Sequence, residues 1–189
     1  MTAHYEVKLR PLRAADLPRV VRLEQELFGS SAWTYGMLAD ELGAHGRWYV
    51  AAEPVRLYAA GPQELIGYAG LWYDGDVTQI MTIGVDPQYQ HLGVGSVLLT
   101  ALIDRSRQVG ASAVLLEVRV DNDAALAMYG KFGFEQLGIR KRYYQPEDVD
   151  AYTMRLELTD ESAAPAAAVP DAPPAPASSD AAHDETGVA

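Results

Sequence analysis

Apolar and polar residues alternate through YEVKLRPL (residues 5–12), the two-residue period of a half-buried strand. The period then lengthens in AADLPRVVRLEQELF, where Leu17, Val20, Val21, Leu27 and Phe28 fall on one helical face. Pro18 is tolerated there because a first-turn N–H has no helical partner. Thr34 is placed to cap a second helix, YGMLADEL, which Gly43 stops. Three strand-like runs follow, WYVAAE, LIGYAGLWY and VTQIMTIGV, the last two joined by the turn DGD. A glycine turn then opens a helix with Val94, Leu98, Ala101 and Leu102 among its apolar positions. AVLLEVRV reads as a strand, and NDAALAMYGKF as a helix capped by Asn122 and ended by Gly133. Two last strands are predicted near residues 134–143 and 151–158.

Consecutive strands suit an antiparallel meander. The stretch from Val77 through the helix to Val120 is a strand–helix–strand crossover, which requires one parallel pair. The expected fold is α+β: a mixed, mostly antiparallel sheet flanked by helices. A doubly wound sheet is disfavoured because strands and helices do not alternate throughout.

Composition divides the 189-residue chain into an expected domain, residues 1–159, and an Ala/Pro-rich acidic tail, residues 160–189. The tail has no Lys, Arg or aromatic residue, and a segment of that kind buries too little apolar surface to offset its ordering entropy. It holds 6 of the 26 acidic residues, leaving 20 acids against 15 bases in the body. That balance argues against direct nucleic-acid binding, which needs a basic face. With no cysteine, disulfides, thiolate nucleophiles and cysteine-based zinc sites are excluded. The four histidines are not at metal-ligand spacing, so no metal is expected. No apolar run reaches spanning length, and the start lacks an apolar leader core; a cytoplasmic protein is the expectation, with no membrane partner.

The turn QYQHLGVGS carries the candidate chemistry. Gly93 and Gly95 sit between a strand and a helix start, where unpaired N–H groups and the helix dipole favour an anion. A bare G-x-G is equally a tight turn with no ligand. No Gly-Lys-Ser/Thr follows, and Leu98 stands where a dinucleotide fingerprint needs a small residue. Gln90-x-x-Gly93-x-Gly95 after TIGVDPQY, with LLEVRVDNDAALAMYGKFGFEQLGIRKRYYQPEDVDAYTMRLEL downstream, resembles the GNAT acetyltransferase superfamily and its RimI subfamily of ribosomal-protein-alanine N-acetyltransferases. The similarity runs from about Val7 to Leu158.

The resemblance implies acetyl-CoA as co-substrate. It implies that Ile83, Gly84 and Val85 hold the pantetheine by strand-like bonds, with an oxyanion donor near Val85. The backbone of His91, Leu92, Gly93, Val94, Gly95 and Ser96 would wrap the pyrophosphate, and Asn122 would also touch the coenzyme. Many relatives carry basic side chains in this turn, whereas here His91 and Ser96 stand there, so the backbone donors remain while side-chain charge is lower.

Acetyl transfer to an amine needs a base, a polarised carbonyl and a proton for the departing thiolate. Glu117 shares a strand face with Leu115 and Arg119; on residues alone, a surface pair with Arg119 is the simpler reading. The resemblance makes Glu117 the general base. Tyr129 falls on an apolar helical stripe with Ala125, Met128 and Phe132, which reads as core packing. The resemblance makes its hydroxyl the proton donor to sulfur, and a phenol can serve both roles. With no cysteine and no nucleophile elbow, direct attack without a covalent enzyme intermediate is expected.

RKRYYQPEDVDAYTM resembles the tyrosine hairpin of N-terminal acetyltransferases, which makes Tyr143 and Tyr144 candidates for binding the first residues of a peptide. SAWTY resembles the loop before the second helix, which would place Trp33 at the amine site. The implied substrate is a protein N-terminus, the alanine of a small-subunit ribosomal protein. Lysine side chains or a small amine are the alternative acceptors, and a non-enzymatic acetyl-CoA-binding module is a third reading.

Overall fold

The computed structural model describes residues 6–55 and 64–158. Strand β1 (Val7–Pro11) leads to helices α1 (Leu17–Phe28) and α2 (Tyr35–Gly43), then strands β2 (Arg47–Pro54), β3 (Gly67–Tyr73) and β4 (Thr78–Val85). Helix α3 (Val94–Gln108), strand β5 (Ala113–Arg119), helix α4 (Asp123–Lys131) and strands β6 (Glu135–Tyr144) and β7 (Val149–Glu157) complete it. This is the predicted order of elements. The expected tail, residues 160–189, lies outside the described residues.

The seven strands form one sheet in the order β1-β2-β3-β4-β5-β7-β6. Every pairing is antiparallel except β4 with β5, the parallel pair that the crossover through α3 requires. Strand β7 inserts between β5 and β6, which leaves β6 at the edge. Helices α3 and α4 cover one face, packing Val94, Leu98, Leu102 and Tyr129 against Val50, Leu71, Val114 and Leu116. Helices α1 and α2 cover the other, where Leu17, Val20, Leu23 and Leu38 meet Tyr49 and Tyr68. Leu98 is fully buried at the centre of the α3 stripe, so truncating it to Ala would cost about 2–5 kcal/mol.

The predicted caps are present. Thr34 Oγ1 accepts from Met37 N at 3.3 Å, and Asn122 Oδ1 from Ala125 N at 3.1 Å. The predicted face of α1 needs one correction. Leu17 and Val20 are buried, and Val21 and Leu27 are partly buried, but Phe28 is 37 % exposed. Phe28 ends the helix, and the chain turns away at Gly29 with a positive φ of 53°. The positions that seal this face are Leu23 and, unexpectedly, the carboxylic residue Glu24.

Strand β4 does not keep a simple alternation. Leu71 pairs with Ile80 and Gly70 with Thr82, so Met81 is an extra residue, a β-bulge. Ile80 and Ile83 consequently both join the core beneath α3, although three residues apart. Thr82 and Gly84 turn to the α1 face. A Cβ on Gly84 would lie 2.4 Å from Cε1 of Tyr68, so only glycine lets that ring cross the strand.

Candidate active site

Strands β4 and β5 pair only at Thr78–Val114 and Gln79–Leu115. Beyond these residues β4 runs to Val85 and β5 to Arg119 with no shared ladder, so a cleft opens between them. Asp86 N–H donates to Ile66 O at 2.9 Å, which makes Val85–Gly67 a non-hydrogen-bonded pair. The N–H and C=O of Val85, and by alternation those of Ile83, therefore face away from β3 into the cleft. Gly84 turns its own backbone groups toward β3. The Val85 carbonyl accepts from Gln90 Nε2 at 3.2 Å, leaving the Val85 N–H directed at the cleft.

The glycine turn is anchored beneath by Asp86. This buried carboxylate pairs with Arg19 of α1 and accepts from Gln88 N at 2.9 Å. His91 adopts φ 60° and Gly93 φ 90°, two left-handed residues that swing the chain onto α3. Gly93 is the N-cap and supplies no side-chain acceptor; the first helical bond is Val97 N to Gly93 O at 3.1 Å. The N–H groups of Val94, Gly95 and Ser96 thus point out of the helix end, the donor set an anion requires. Val94 keeps its side chain in the core, so only its N–H is on offer. Leu92 is exposed. No Lys or Arg occurs between Gln79 and Asp104, so the donors that this segment itself presents at the helix end are backbone N–H groups.

Glu117 lies on β5 on the face away from α3. Gln79 Nε2 donates to its Oε2 and Arg140 NH1 to its Oε1, both at 2.8 Å. The Glu117 side chain is 12 % exposed and that of Arg140 55 %. Arg119, the neighbour expected from the strand pattern, pairs instead with Asp121 through two bonds of 3.0 Å. Strand twist and the β4–β5 register explain the choice: Gln79 sits beside Leu115, one same-face step from Glu117, while β6 brings Arg140 over the sheet. A carboxylate has about four acceptor positions, so two donors leave room for an amine or water.

Tyr129 enters from the opposite face. Its ring is 7 % exposed and lies 5.6 Å from that of Phe134. The hydroxyl bonds to no described residue, yet it is not a sealed unsatisfied atom; its tip therefore reaches accessible space. Burial, followed by the nearby Tyr144, pushes the phenol well above its ordinary range, so it remains a proton donor. Met128 Sδ approaches within 3.4 Å of where a Gly95 Cβ would stand, which fixes α4 against the start of α3. Asn122 caps α4 from an exposed position beside this junction.

The third wall is the β6–β7 hairpin. Between Arg140 and Tyr144 its register shifts, because β6 spends more residues than β7, and Arg142 takes a φ of 51°. The irregularity re-aims Tyr143 and Tyr144, whose rings meet edge to face at 5.1 Å. Arg140 lies 4.8 Å from the Tyr143 ring and Arg119 5.5 Å from that of Tyr144. Burial, then the charges of Tyr143 and Glu117, push the Tyr144 phenol up to about 12. The loop after α1 touches this hairpin: Ser30 bonds to Glu147, and Ser31 Oγ donates to Gln145 O at 3.3 Å. Trp33 follows in the same loop, its N–H donating to Glu24 Oε2 at 3.0 Å.

The sequence pattern did not single out Gln79, Arg140, Glu24, Tyr68 or Thr82. Only the odd placement of a glutamate among the apolar positions of α1 could have drawn notice to Glu24. Among the described residues no three His, Cys, Asp or Glu side chains gather as metal ligands, and no helix is long and apolar enough to cross a membrane.

Residues 17–134 match the model of the acetyltransferase (GNAT) family. The chain is 42 % identical over 168 residues to N-alpha-acetyltransferase RimI of Mycobacterium tuberculosis, covering 86 % of this chain and all of that protein. It is 41 % identical over 150 residues to the [ribosomal protein bS18]-alanine N-acetyltransferase of Escherichia coli, covering 78 % and 95 %. The crystal structure of the ribosomal-protein-S18-alanine N-acetyltransferase from Escherichia coli superposes with a TM-score of 0.69, covering 82 % of this chain and 97 % of that one. Identity in that spatial pairing is 28 %. The family match, the whole-length relatives and the splayed β4–β5 cleft agree: this chain belongs to the acetyltransferase (GNAT) family.

Proposed function

We propose that the protein transfers the acetyl group of acetyl-CoA to the N-terminal α-amine of a protein, with the N-terminal alanine of ribosomal protein bS18 as its principal substrate. The observation that carries this reading is the match, over nearly their whole length, to enzymes named for N-terminal and bS18-alanine acetylation. When bound, acetyl-CoA supplies the acetyl group as an activated thioester. The residues here fit it: the uncapped N–H groups of Val94, Gly95 and Ser96 suit a pyrophosphate, and the cleft-facing groups of Ile83 and Val85 suit an extended amide chain. Asn122 has its amide NH₂ unused by its capping bond and contributes there.

Glu117 takes the proton of the incoming ammonium, directly or through a water, from the oxygen positions that Gln79 and Arg140 leave open. The Val85 N–H polarises the carbonyl. Tyr129 gives its proton to the sulfur, a role its unbonded hydroxyl is free to take. Trp33, Tyr143 and Tyr144 wall the amine side. An α-amine has an ordinary pKa near roughly 8 and a lysine near roughly 10.4, so the α-amine is the easier nucleophile to free at neutral pH.

Incubation with acetyl-CoA and short peptides differing only at residue 1, read by fragmentation mass spectrometry, tests the assignment. Acetylation is expected on the α-amine of the alanine peptide. Acetylation confined to the internal lysine of an N-blocked peptide would move the assignment to side-chain amines.

A further inference from the structure

Glu24 has no place in the chemistry above, yet it is the most unusual side chain on α1. It is 1 % exposed, and no Lys, Arg or His among the described residues pairs with it. A buried carboxylate without a cation is costly unless hydrogen bonds replace its water. Here three neutral donors from three separate segments do so. Tyr68 Oη of β3 donates to Oε1 at 2.6 Å, Thr82 Oγ1 of β4 donates to the same oxygen at 3.1 Å, and Trp33 N donates to Oε2 at 3.0 Å. Each donor sits at a meaningful place. Thr82 lies between the bulge residue Met81 and the cleft-facing Ile83. Tyr68 reaches the carboxylate only because Gly84 has no side chain. Trp33 is the last loop residue before the cap of α2, and the same loop binds the β6–β7 hairpin.

We propose that Glu24 is a positioning residue, a buried strut that fixes the Trp33 loop against β4 and so sets the shape of the slot that admits the acceptor amine. The proposal rests on the reading of Trp33 as a wall of that slot. It assigns Glu24 no contact with substrate and no proton. Its effect reaches the acceptor through the loop, and not acetyl-CoA, because the free edge of β4 is also held by the ladder to β3.

The test uses the full chain with acetyl-CoA and an alanine-first peptide. Glu24→Leu keeps the bulk and removes every acceptor; the peptide KM is expected to rise about tenfold, while the acetyl-CoA KM stays within about twofold. Glu24→Gln should restore the peptide KM to within about threefold, because its carbonyl can take the Trp33 N–H while the hydroxyls of Tyr68 and Thr82 turn to accept from the amide. Hydrogen exchange over residues 29–34 should quicken in Glu24→Leu and not in Glu24→Gln. If Glu24→Leu does not fold, Thr82→Val carries the test, with an expected rise of about threefold in peptide KM alone. An unchanged peptide KM in the folded variants overturns the proposal, as does a loss of kcat with both KM values constant. If the wild-type protein acetylates no peptide, the functional reading fails separately, and Glu24 is judged by exchange: unaltered protection of residues 29–34 in Glu24→Leu overturns the strut.

Discussion

The two halves of the site are made in different ways. In the proposed assignment the cofactor half is mainly backbone, running from β4 through the glycine turn to the first turn of α3, with the Asn122 side chain added from α4. The acceptor half is side chains, gathered from α1, its loop, β4, β5 and the β6–β7 hairpin. A backbone cradle tolerates many side chains provided its φ values can be reached. A side-chain cluster depends on every member and on the register that brings them together. Substitutions on the two halves should therefore fail in different kinetic constants.

The largest effect is expected at Glu117. Glu117→Gln should lower kcat by about 10²–10⁴-fold and leave acetyl-CoA affinity near that of the parent, by steady-state kinetics and calorimetry. Turnover like that of the parent across neutral pH would remove Glu117 as the base. Tyr129→Phe should follow, with kcat lower by about 10–100-fold. Its thermal midpoint should stay near that of the parent, since the ring is kept and the hydroxyl bonds to no described residue. An unchanged rate would leave Tyr129 as core packing only.

Replacing Tyr143 and Tyr144 together by alanine should raise the peptide KM about tenfold or more without altering acetyl-CoA binding. A matching loss in both constants would show that the halves are not separable. The opposite pattern is expected at Gly93. An alanine there must take φ 90°, which costs about 1–2 kcal/mol, so the acetyl-CoA KM should rise up to about tenfold with peptide KM constant. Smallest of all is removal of residues 160–189, which hold no Lys, Arg or aromatic side chain. Neither KM nor kcat should move; a large loss of activity would tie that segment to the site.

The legibility of the two halves in the sequence differs for the same reason. Hydrophobic period and caps such as Thr34 and Asn122 are local, and they gave every element in order. The glycine turn was visible because left-handed backbone selects its own residues over a few positions. Resemblance to relatives added roles for Glu117 and Tyr129 that spacing alone would have assigned to a surface pair and a core stripe.

What only the tertiary structure decided is non-local. The partner of Glu117 is Arg140 and not Arg119, because strand order places β7 and then β6 beside β5. The bulge at Met81 shifts the facing of β4, and one extra residue in a strand leaves no periodic trace in so short a run. Glu24 reads as a polar intrusion in an amphipathic helix until β3, β4 and the Trp33 loop are folded around it. The chain itself determined its elements, its turn and its one parallel pair, because those follow from neighbours in sequence. The side-chain contacts at the acceptor site came from register and layer packing, which join residues as far apart as Ser30 and Glu147, 117 positions along the chain.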